Sequence, residues 1–284
     1  MEQNLNSISQ EIKEKGVVSV SNLLSHNDLE DILKIVKEPQ KGSSESYYPA
    51  HFRQYLVKLL KLDFKKINNS LFLKKIANKL NFKKIAEIAF GTKAELQMID
   101  CYHNKQSNKQ ILSWYNDIGI TDNHNPNALK TFYDQADATF SKKTSGSARG
   151  IKFFIYLTDV TTDNGSLAVI PYSAKIVKSV CVLILSKKIN PVSFWSLKNL
   201  RDLVNQKPVQ SLLSEQIQKE KIQKFLQDTK FIENETPDTS QFDFNLKKGG
   251  AVIFDELSVH RGSAPQKTDR IVLRFIYKKI NLLN

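Results

Sequence analysis

Cysteine is scarce in this chain, and its scarcity excludes several classes of protein. The 284 residues include two cysteines, Cys101 and Cys181, and neither belongs to a C-x-x-C pair. A structural zinc site or a dithiol redox motif is therefore not indicated. Cys181 lies in the apolar stretch Val180–Leu185, and free cysteines are commonly buried, so we expect it to be a packed core residue.

Long hydrophobic runs are also missing. No apolar run reaches the roughly 18 residues that a membrane span requires. Residues 1–10 are polar and lack the apolar segment of a secretory signal, so the sequence predicts a cytoplasmic protein. The Walker loop, the dinucleotide-binding glycine fingerprint and the nucleophile elbow are absent, which leaves nucleotide-binding and serine hydrolase functions without support.

Acidic residues are outnumbered, with 29 Asp and Glu against 42 Lys and Arg and a net charge of +13. A basic surface can attract nucleic acid or anionic small molecules. The lysines are scattered along the chain and form no compact basic stripe interleaved with aromatic residues. The charge therefore does not favour nucleic-acid binding, and nothing in the sequence indicates an oligomeric state.

The N-terminal part, residues 1–92, is predicted to be mainly helical. Val17–Val20 is a candidate short strand, and residues 25–28, Ser-His-Asn-Asp, are typical of a helix start because their side chains can bond free backbone N–H groups. Between residues 52 and 90, Leu, Ile and Phe recur at helical spacing with lysines between them. This pattern predicts two or three amphipathic helices.

A β core is predicted in two stretches, residues 93–185 and 241–284. Asn164-Gly165 is a strong turn signal, after which Ser166–Ile170 is expected to return as the hairpin partner of the preceding strand. The candidate strands alternate or are rich in β-branched and aromatic residues. They are Glu95–Tyr102, Gln110–Asp117, Ile151–Val160, Ala251–Phe254 and Ile271–Tyr277.

Two polar segments interrupt the predicted β core. Residues 118–149 are predicted to be irregular and to end in a mobile loop, and residues 186–240 to be a helical insertion between strands. Helices followed by antiparallel strands with a late closing strand favour a mainly β sandwich or barrel with helical buttresses. We predict a single domain over residues 1–284.

The residues suited to chemistry lie in three places. Tyr115 and Asp117 are two apart on a predicted strand and would therefore point to the same side, into a barrel. His260 follows a strand and a short connection, and Arg270 opens the next alternating strand. An antiparallel barrel would bring these side chains together at one mouth.

The segments around these residues resemble those of the phytanoyl-CoA dioxygenase-like proteins, in the iron(II)/2-oxoglutarate-dependent oxygenase superfamily. The resemblance spans roughly residues 15 to 280, apart from the insertion. It implies a double-stranded β-helix, or jelly roll, and hydroxylation of a small organic substrate. The matching segments are Trp114–Asp117, Ile151–Val160, Asp163–Leu167, Pro171–Ser173, Lys248–Asp255, His260–Gly262 and Asp269–Arg270.

The resemblance also implies roles for single residues. Asp117 and His260 would be iron ligands in a facial triad of two histidines and one carboxylate, with 2-oxoglutarate as co-substrate. Arg270 would clamp the far carboxylate of 2-oxoglutarate, since a guanidinium offers a planar bidentate fork. Arg274 faces the same way along the strand and is an alternative clamp.

The chain departs from the family at Tyr115, where the first histidine ligand is expected. A phenol has a pKa of about 10 and is a poor ligand at neutral pH. Three readings stay open: a site that has lost iron and only binds a ligand, a site in which His103 or His124 supplies the nitrogen, and a tyrosine-containing or two-ligand site that still works. Taken alone, these two histidines have polar neighbours typical of surface residues.

Two further residue patterns have simpler explanations. His26-Asn27-Asp28 is a literal His-x-Asp motif, but it fits a helix start and precedes the β region, so we do not expect it to bind metal. Lys152 begins a predicted strand. It would face either a ligand carboxylate or solvent.

Overall fold

Two antiparallel sheets and a set of helices form the structure, which is a computed structural model. It describes residues 2–36, 45–48, 64–107, 113–140, 150–230, 232 and 240–280. Within these residues no helix is both long and apolar enough to cross a membrane.

The larger sheet has six strands in the order β1-β6-β4-β8-β3-β2, and the smaller sheet pairs β5 with β7. All the pairings are antiparallel. The strands are β1 (Val17–Val20), β2 (Glu45–Tyr48), β3 (Ala94–Asn104), β4 (Gly150–Tyr156), β5 (Leu167–Val169), β6 (Ala251–Asp255), β7 (His260–Gly262) and β8 (Arg270–Lys279).

The helices form two groups, one before β3 and one around the small sheet. The first group is Glu2–Lys15, His26–Ile35, Phe64–Lys79 and Phe82–Phe90. The second group is Pro126–Phe140, Ser173–Leu185, Leu197–Val204, Lys207–Ser214 and Lys219–Asp228, and a short 3-10 turn follows at Ser240–Phe242.

The outer face of the large sheet packs against the first helical group. Phe153 of β4 and Phe275 of β8 are fully buried and lie opposite each other in register. The ring of Phe82 stacks on Phe153 at a centroid distance of 4.3 Å and meets Phe275 edge-on at 5.3 Å. These rings attach the N-terminal helices to the two central strands.

The inner face of the large sheet turns towards the small sheet. Since strand side chains alternate, the residues next to Phe153, which are Lys152 and Phe154, point inward. An apolar cluster fills much of the space between the sheets. Its members include Tyr156, Val252, Phe254 and Val272 from the large sheet and Leu167 and Val169 from the small one.

A third core lies among the helices of the second group. Trp114, Val259 and Cys181 are buried in it. The expected burial of Cys181 is confirmed, and this burial raises the pKa of its thiol. The helical core therefore packs directly against the chain just before β7 and just before Tyr115.

Much of the predicted architecture is confirmed: a mainly antiparallel β core, helical buttresses and a helical segment at residues 197–228. β1 lies where it was expected. The second helix begins at His26 with Ser25 as its cap, because the Ser25 hydroxyl accepts a bond from the Asp28 N–H. The His-Asn-Asp motif there is thus a helix start.

Four expectations about local structure are wrong. The end of the predicted β core 93–185 forms a helix, Ser173–Leu185. In the described part of the predicted strand 110–117, Tyr115 makes only isolated bridges. Within 118–149, residues 126–140 form a helix. β5 pairs with β7 and not with β4, because the chain after Gly165 crosses to the second sheet. Residues 52–63, 110–112 and 142–147 lie outside the described part.

The contact between Phe82 and Phe153 yields a stability prediction. Phe153→Ala removes a fully buried ring and should lower the free energy of unfolding by about 3–5 kcal/mol, measured by urea denaturation. Tyr133→Ala is the control, since Tyr133 is 39% exposed and its loss should change stability by within about 0.5 kcal/mol. Equal effects of the two substitutions would contradict this packing.

Candidate functional site

The candidate site lies between the two sheets, where the segment containing Tyr115 runs beside β7. Tyr115 and His260 exchange both backbone hydrogen bonds, at N···O distances of 3.1 and 2.9 Å. The Tyr115 ring lies 4.7 Å from the His260 ring and stacks on Trp195 at 5.2 Å. The backbone pairing thus fixes the position of Tyr115 relative to His260.

Asp117 and His260 lie close together. The distance from Asp117 Oδ2 to His260 Nε2 is 4.0 Å. His260 Nδ1 lies 2.8 Å from the carbonyl oxygen of Ser258, and because a carbonyl only accepts, Nδ1 carries the proton and Nε2 has the lone pair. Burial lowers the pKa of His260, although Asp117 opposes this. His260 is therefore neutral near pH 7.

The Lys152 side chain points into the site, where it forms an ion pair with Asp117. Its Nζ lies 2.6 Å from Asp117 Oδ2 and 3.5 Å from Glu256 Oε1. Burial favours a low pKa for Lys152, but the two carboxylates outweigh burial and raise its pKa. Conversely, burial favours a high pKa for Asp117, but Lys152 and His260 lower it. Both partners are charged at neutral pH.

Tyr115 is held as a neutral phenol. Burial raises its pKa above the ordinary value, and the nearby Asp117 carboxylate raises it further. A metal ligand must offer a lone pair to the cation, and a protonated phenol is a weak one. Tyr115, which occupies the position where the resemblance implies a histidine, is therefore a poor metal ligand.

The two other histidines proposed to complete the site do not reach it. His103 lies on β3 between Tyr102 and Asn104, whose side chains point inward, so its own side chain points to the opposite face. The expectation that His103 is a surface residue is wrong, because it is 7% exposed and its Nε2 lies 3.1 Å from Asp269 Oδ2. His124 is exposed, in the loop before residue 126.

The described residues do not complete a facial triad for iron. They contain no group of three or more His, Cys, Asp or Glu side chains placed to hold a metal ion. Asp117 and His260 provide two metal ligands. However, Asp117 Oδ2, the oxygen nearest to His260, already accepts a hydrogen bond from the Lys152 ammonium. The donor set thus fits a two-ligand site at most.

The two candidate clamp arginines differ in their partners. Arg274 makes a double ion pair with Asp100, at 2.9 Å from Nε and 2.6 Å from Nη2. Arg270 donates to neutral oxygens, namely the carbonyls of Gly165 and Ser263 and the side-chain Oδ1 of Asn104. Among the described residues, no carboxylate contacts Arg270, whereas that of Asp100 engages Arg274.

The Asn164-Gly165 turn positions Arg270. Gly165 has a φ of +79°, which a side chain disfavours. A Cβ added there would lie 2.7 Å from Arg270 Cδ. Only glycine therefore allows this turn to lie against Arg270 and accept its hydrogen bond.

A buried ion pair that the sequence reasoning missed anchors β7. Arg261 Nη2 lies 2.9 Å from Asp243 Oδ2, and both side chains are fully buried. The guanidinium also lies over the Trp114 ring, at 5.0 Å from its centroid. The position of Arg261 directly after His260 was the available signal. Its partner is 18 residues away in the chain.

The architecture is similar to that of solved protein structures. No protein-family model and no curated protein matches the chain. The solved structure of the epimerase SnoN in complex with Fe3+, alpha ketoglutarate and nogalamycin RO is similar, with a TM-score of 0.50, 12% identity and coverage of 98% of this chain and 85% of SnoN. EvdO2 from Micromonospora carbonacea var. aurantiaca complexed with 2-oxoglutarate has a TM-score of 0.47 and 11% identity, covering 96% and 90%.

At these identities the likeness to SnoN shows the fold alone. The chain therefore shares the fold of the epimerase SnoN. The ligands of this chain have to be inferred from its own side chains.

The Arg261–Asp243 pair yields a second stability prediction. Asp243→Asn leaves a fully buried guanidinium without its counter-charge and should lower the free energy of unfolding by about 3–5 kcal/mol. Asp159→Asn, which removes an exposed partner of Lys247, should leave the free energy of unfolding nearly unchanged. Chemical denaturation of both variants measures the difference, and a nearly unperturbed Asp243→Asn would show that the pair is not needed.

Proposed function

We propose that this chain binds a small dicarboxylic acid, with 2-oxoglutarate as the model ligand, between its two sheets and that Arg270 holds one carboxylate. The observation that carries the proposal is the set of neutral oxygens around the Arg270 guanidinium. We further propose that the two sheets close as a jelly roll within one domain covering residues 1–284.

The charges on the inner face support this assignment. Lys152 pairs with Asp117, Arg274 pairs with Asp100, and Lys278 pairs with a second acid, Glu256. Arg270 is the inner-face cation with no carboxylate contact in the described part of the chain. Burial lowers the pKa of Arg270, which means that its charge is poorly solvated there. An anionic ligand would relieve this cost.

The chemistry of arginine also indicates which ligand it would take. The planar guanidinium fork matches a carboxylate, and such charge-assisted hydrogen bonds are stronger than neutral ones. The neighbouring Asn104 amide, which contacts Arg270 Nε and Nη2, lies where it could adjust to an entering carboxylate. A small acid rather than a phosphate-rich polymer is the expected ligand class.

Calorimetric titration of 2-oxoglutarate in the presence of EDTA tests this assignment. The wild-type chain should bind, and Arg270→Lys should bind at least about tenfold more weakly, because lysine cannot form the bidentate contact. Arg201→Lys is the matched control, since Arg201 also bonds backbone carbonyls but lies among the helices.

The outcome that would contradict the proposal is equally clear. If the folded wild-type chain binds neither 2-oxoglutarate nor its analogues glutarate and succinate, Arg270 is not a carboxylate clamp. Equal weakening in Arg270→Lys and Arg201→Lys would point to general destabilisation and would also contradict it.

A second candidate function is an iron(II)/2-oxoglutarate-dependent oxygenase, of the phytanoyl-CoA dioxygenase-like kind, that hydroxylates a small organic substrate. The 4.0 Å separation of Asp117 Oδ2 and His260 Nε2 favours it, because both atoms could face one cation. For this function Asp117 and His260 would hold iron(II) beside Tyr115, and the metal would supply the oxygen chemistry. SnoN, which shares the fold, has Fe3+ and alpha ketoglutarate bound.

Anaerobic addition of iron(II) and 2-oxoglutarate tests the second candidate through the visible charge-transfer band that a chelated keto acid gives. The wild-type chain should show no band if Tyr115 is a poor ligand. Tyr115→His restores a nitrogen donor and is expected to produce at most a weak band. A strong band in the wild type would show that iron(II) chelates the keto acid in this site and would favour the oxygenase candidate over simple acid binding.

A further inference from the structure

Lys152 occupies a central position in the large sheet, on the face that lines the site. It belongs to β4, and its register partners are Phe254 of β6 and Ile276 of β8. Its side chain is 9% exposed. Taking an ammonium out of water is costly unless acids and hydrogen bonds surround it. The position of Lys152 therefore has to be explained by its partners.

The partners of Lys152 form an alternating series of acids and bases. Asp117 contacts Lys152, Lys152 contacts Glu256, and Glu256 contacts Lys278. The four groups carry two negative and two positive charges, so the series is neutral. The Phe254 ring adds a cation–π contact, with its centroid 5.8 Å from Lys152 Nζ.

The ammonium competes with any metal for one atom. Lys152 Nζ lies 2.6 Å from Asp117 Oδ2. That oxygen is also the one nearest to His260, at 4.0 Å from Nε2. A divalent ion held between this oxygen and His260 Nε2 would lie about 2.0–2.2 Å from the oxygen, as metals bind carboxylates. The ion and the ammonium would then repel each other at close range.

We propose that Lys152 supplies the cation of this site, so that the Asp117–His260 pair is complete without a divalent metal. The Tyr115 replacement and the Lys152 ion pair then have one common explanation, since a site with its own ammonium needs no third metal ligand. This inference depends on the contacts of Asp117 and not on dicarboxylate binding by Arg270. It opposes the oxygenase alternative.

Mn(II) is a suitable probe, because it takes the same oxygen and nitrogen ligands as iron(II). Its binding is read from the loss of the free-ion signal in electron paramagnetic resonance. The wild-type chain and Tyr115→His should bind Mn(II) weakly, in the millimolar range or not at all. Lys152→Met should bind at least about tenfold more tightly than the wild type, a difference of about 1.4 kcal/mol, and Tyr115→His with Lys152→Met more tightly again.

Thermal unfolding gives a second, independent readout. The melting temperature of the wild type should be unchanged by Mn(II) or EDTA. Lys152→Met should melt lower, and Mn(II) should restore part of the loss by binding the folded state. Lys152→Gln, which keeps a hydrogen-bond donor for Asp117, serves if the methionine variant does not fold. Lys247→Met is the control, because its ion pair with Asp159 is exposed.

Two results would overturn the proposal. The first is tight Mn(II) binding by the wild type, and the second is a folded Lys152 variant whose Mn(II) affinity equals that of the wild type. The dicarboxylate titration is made in EDTA, so failure of that assignment leaves the metal result untouched, and the reverse also holds.

Discussion

Side chains alternate between the two faces of a strand. This alternation gives the two central strands of the large sheet one apolar face and one charged face. In β4 and β8 the outward residues Phe153 and Phe275 join the N-terminal helices. Their inward neighbours Lys152 and Arg274 carry positive charge into the space between the sheets. The same backbone therefore stabilises the fold on one face and sets the electrostatic requirements of the site on the other.

Charges placed in a partly closed space must find partners, and this requirement explains most of the site. Asp100, Asp117 and Glu256 each meet a basic side chain. His260 needs no such partner, because its Nδ1–H donates to a backbone carbonyl and the ring is neutral. Among the described residues, the positive and negative charges of the inner face thus nearly cancel. The excess positive charge is that of Arg270.

The sequence predicted those parts of the fold that depend on local patterns. The alternation in β8 and the Ser25 helix cap are examples. It also pointed to Asp117 and His260, through the resemblance. Contacts between distant segments could not be read from it: Lys152 and Asp117 are 35 residues apart and His103 and Asp269 are 166 apart. Whether Lys152 is solvated or paired depends on how segments cross between sheets, which periodicity does not encode.

The site is assembled from two separately packed halves. Tyr115 and His260 adjoin Trp114 and Val259 of the helical core, whereas β4, which bears Lys152, packs its outer face on the N-terminal helices. Substitutions in one core can therefore accumulate without disturbing the other. Such a division would let the side chains that one half contributes to the site change while the packing of the opposite half is inherited unchanged.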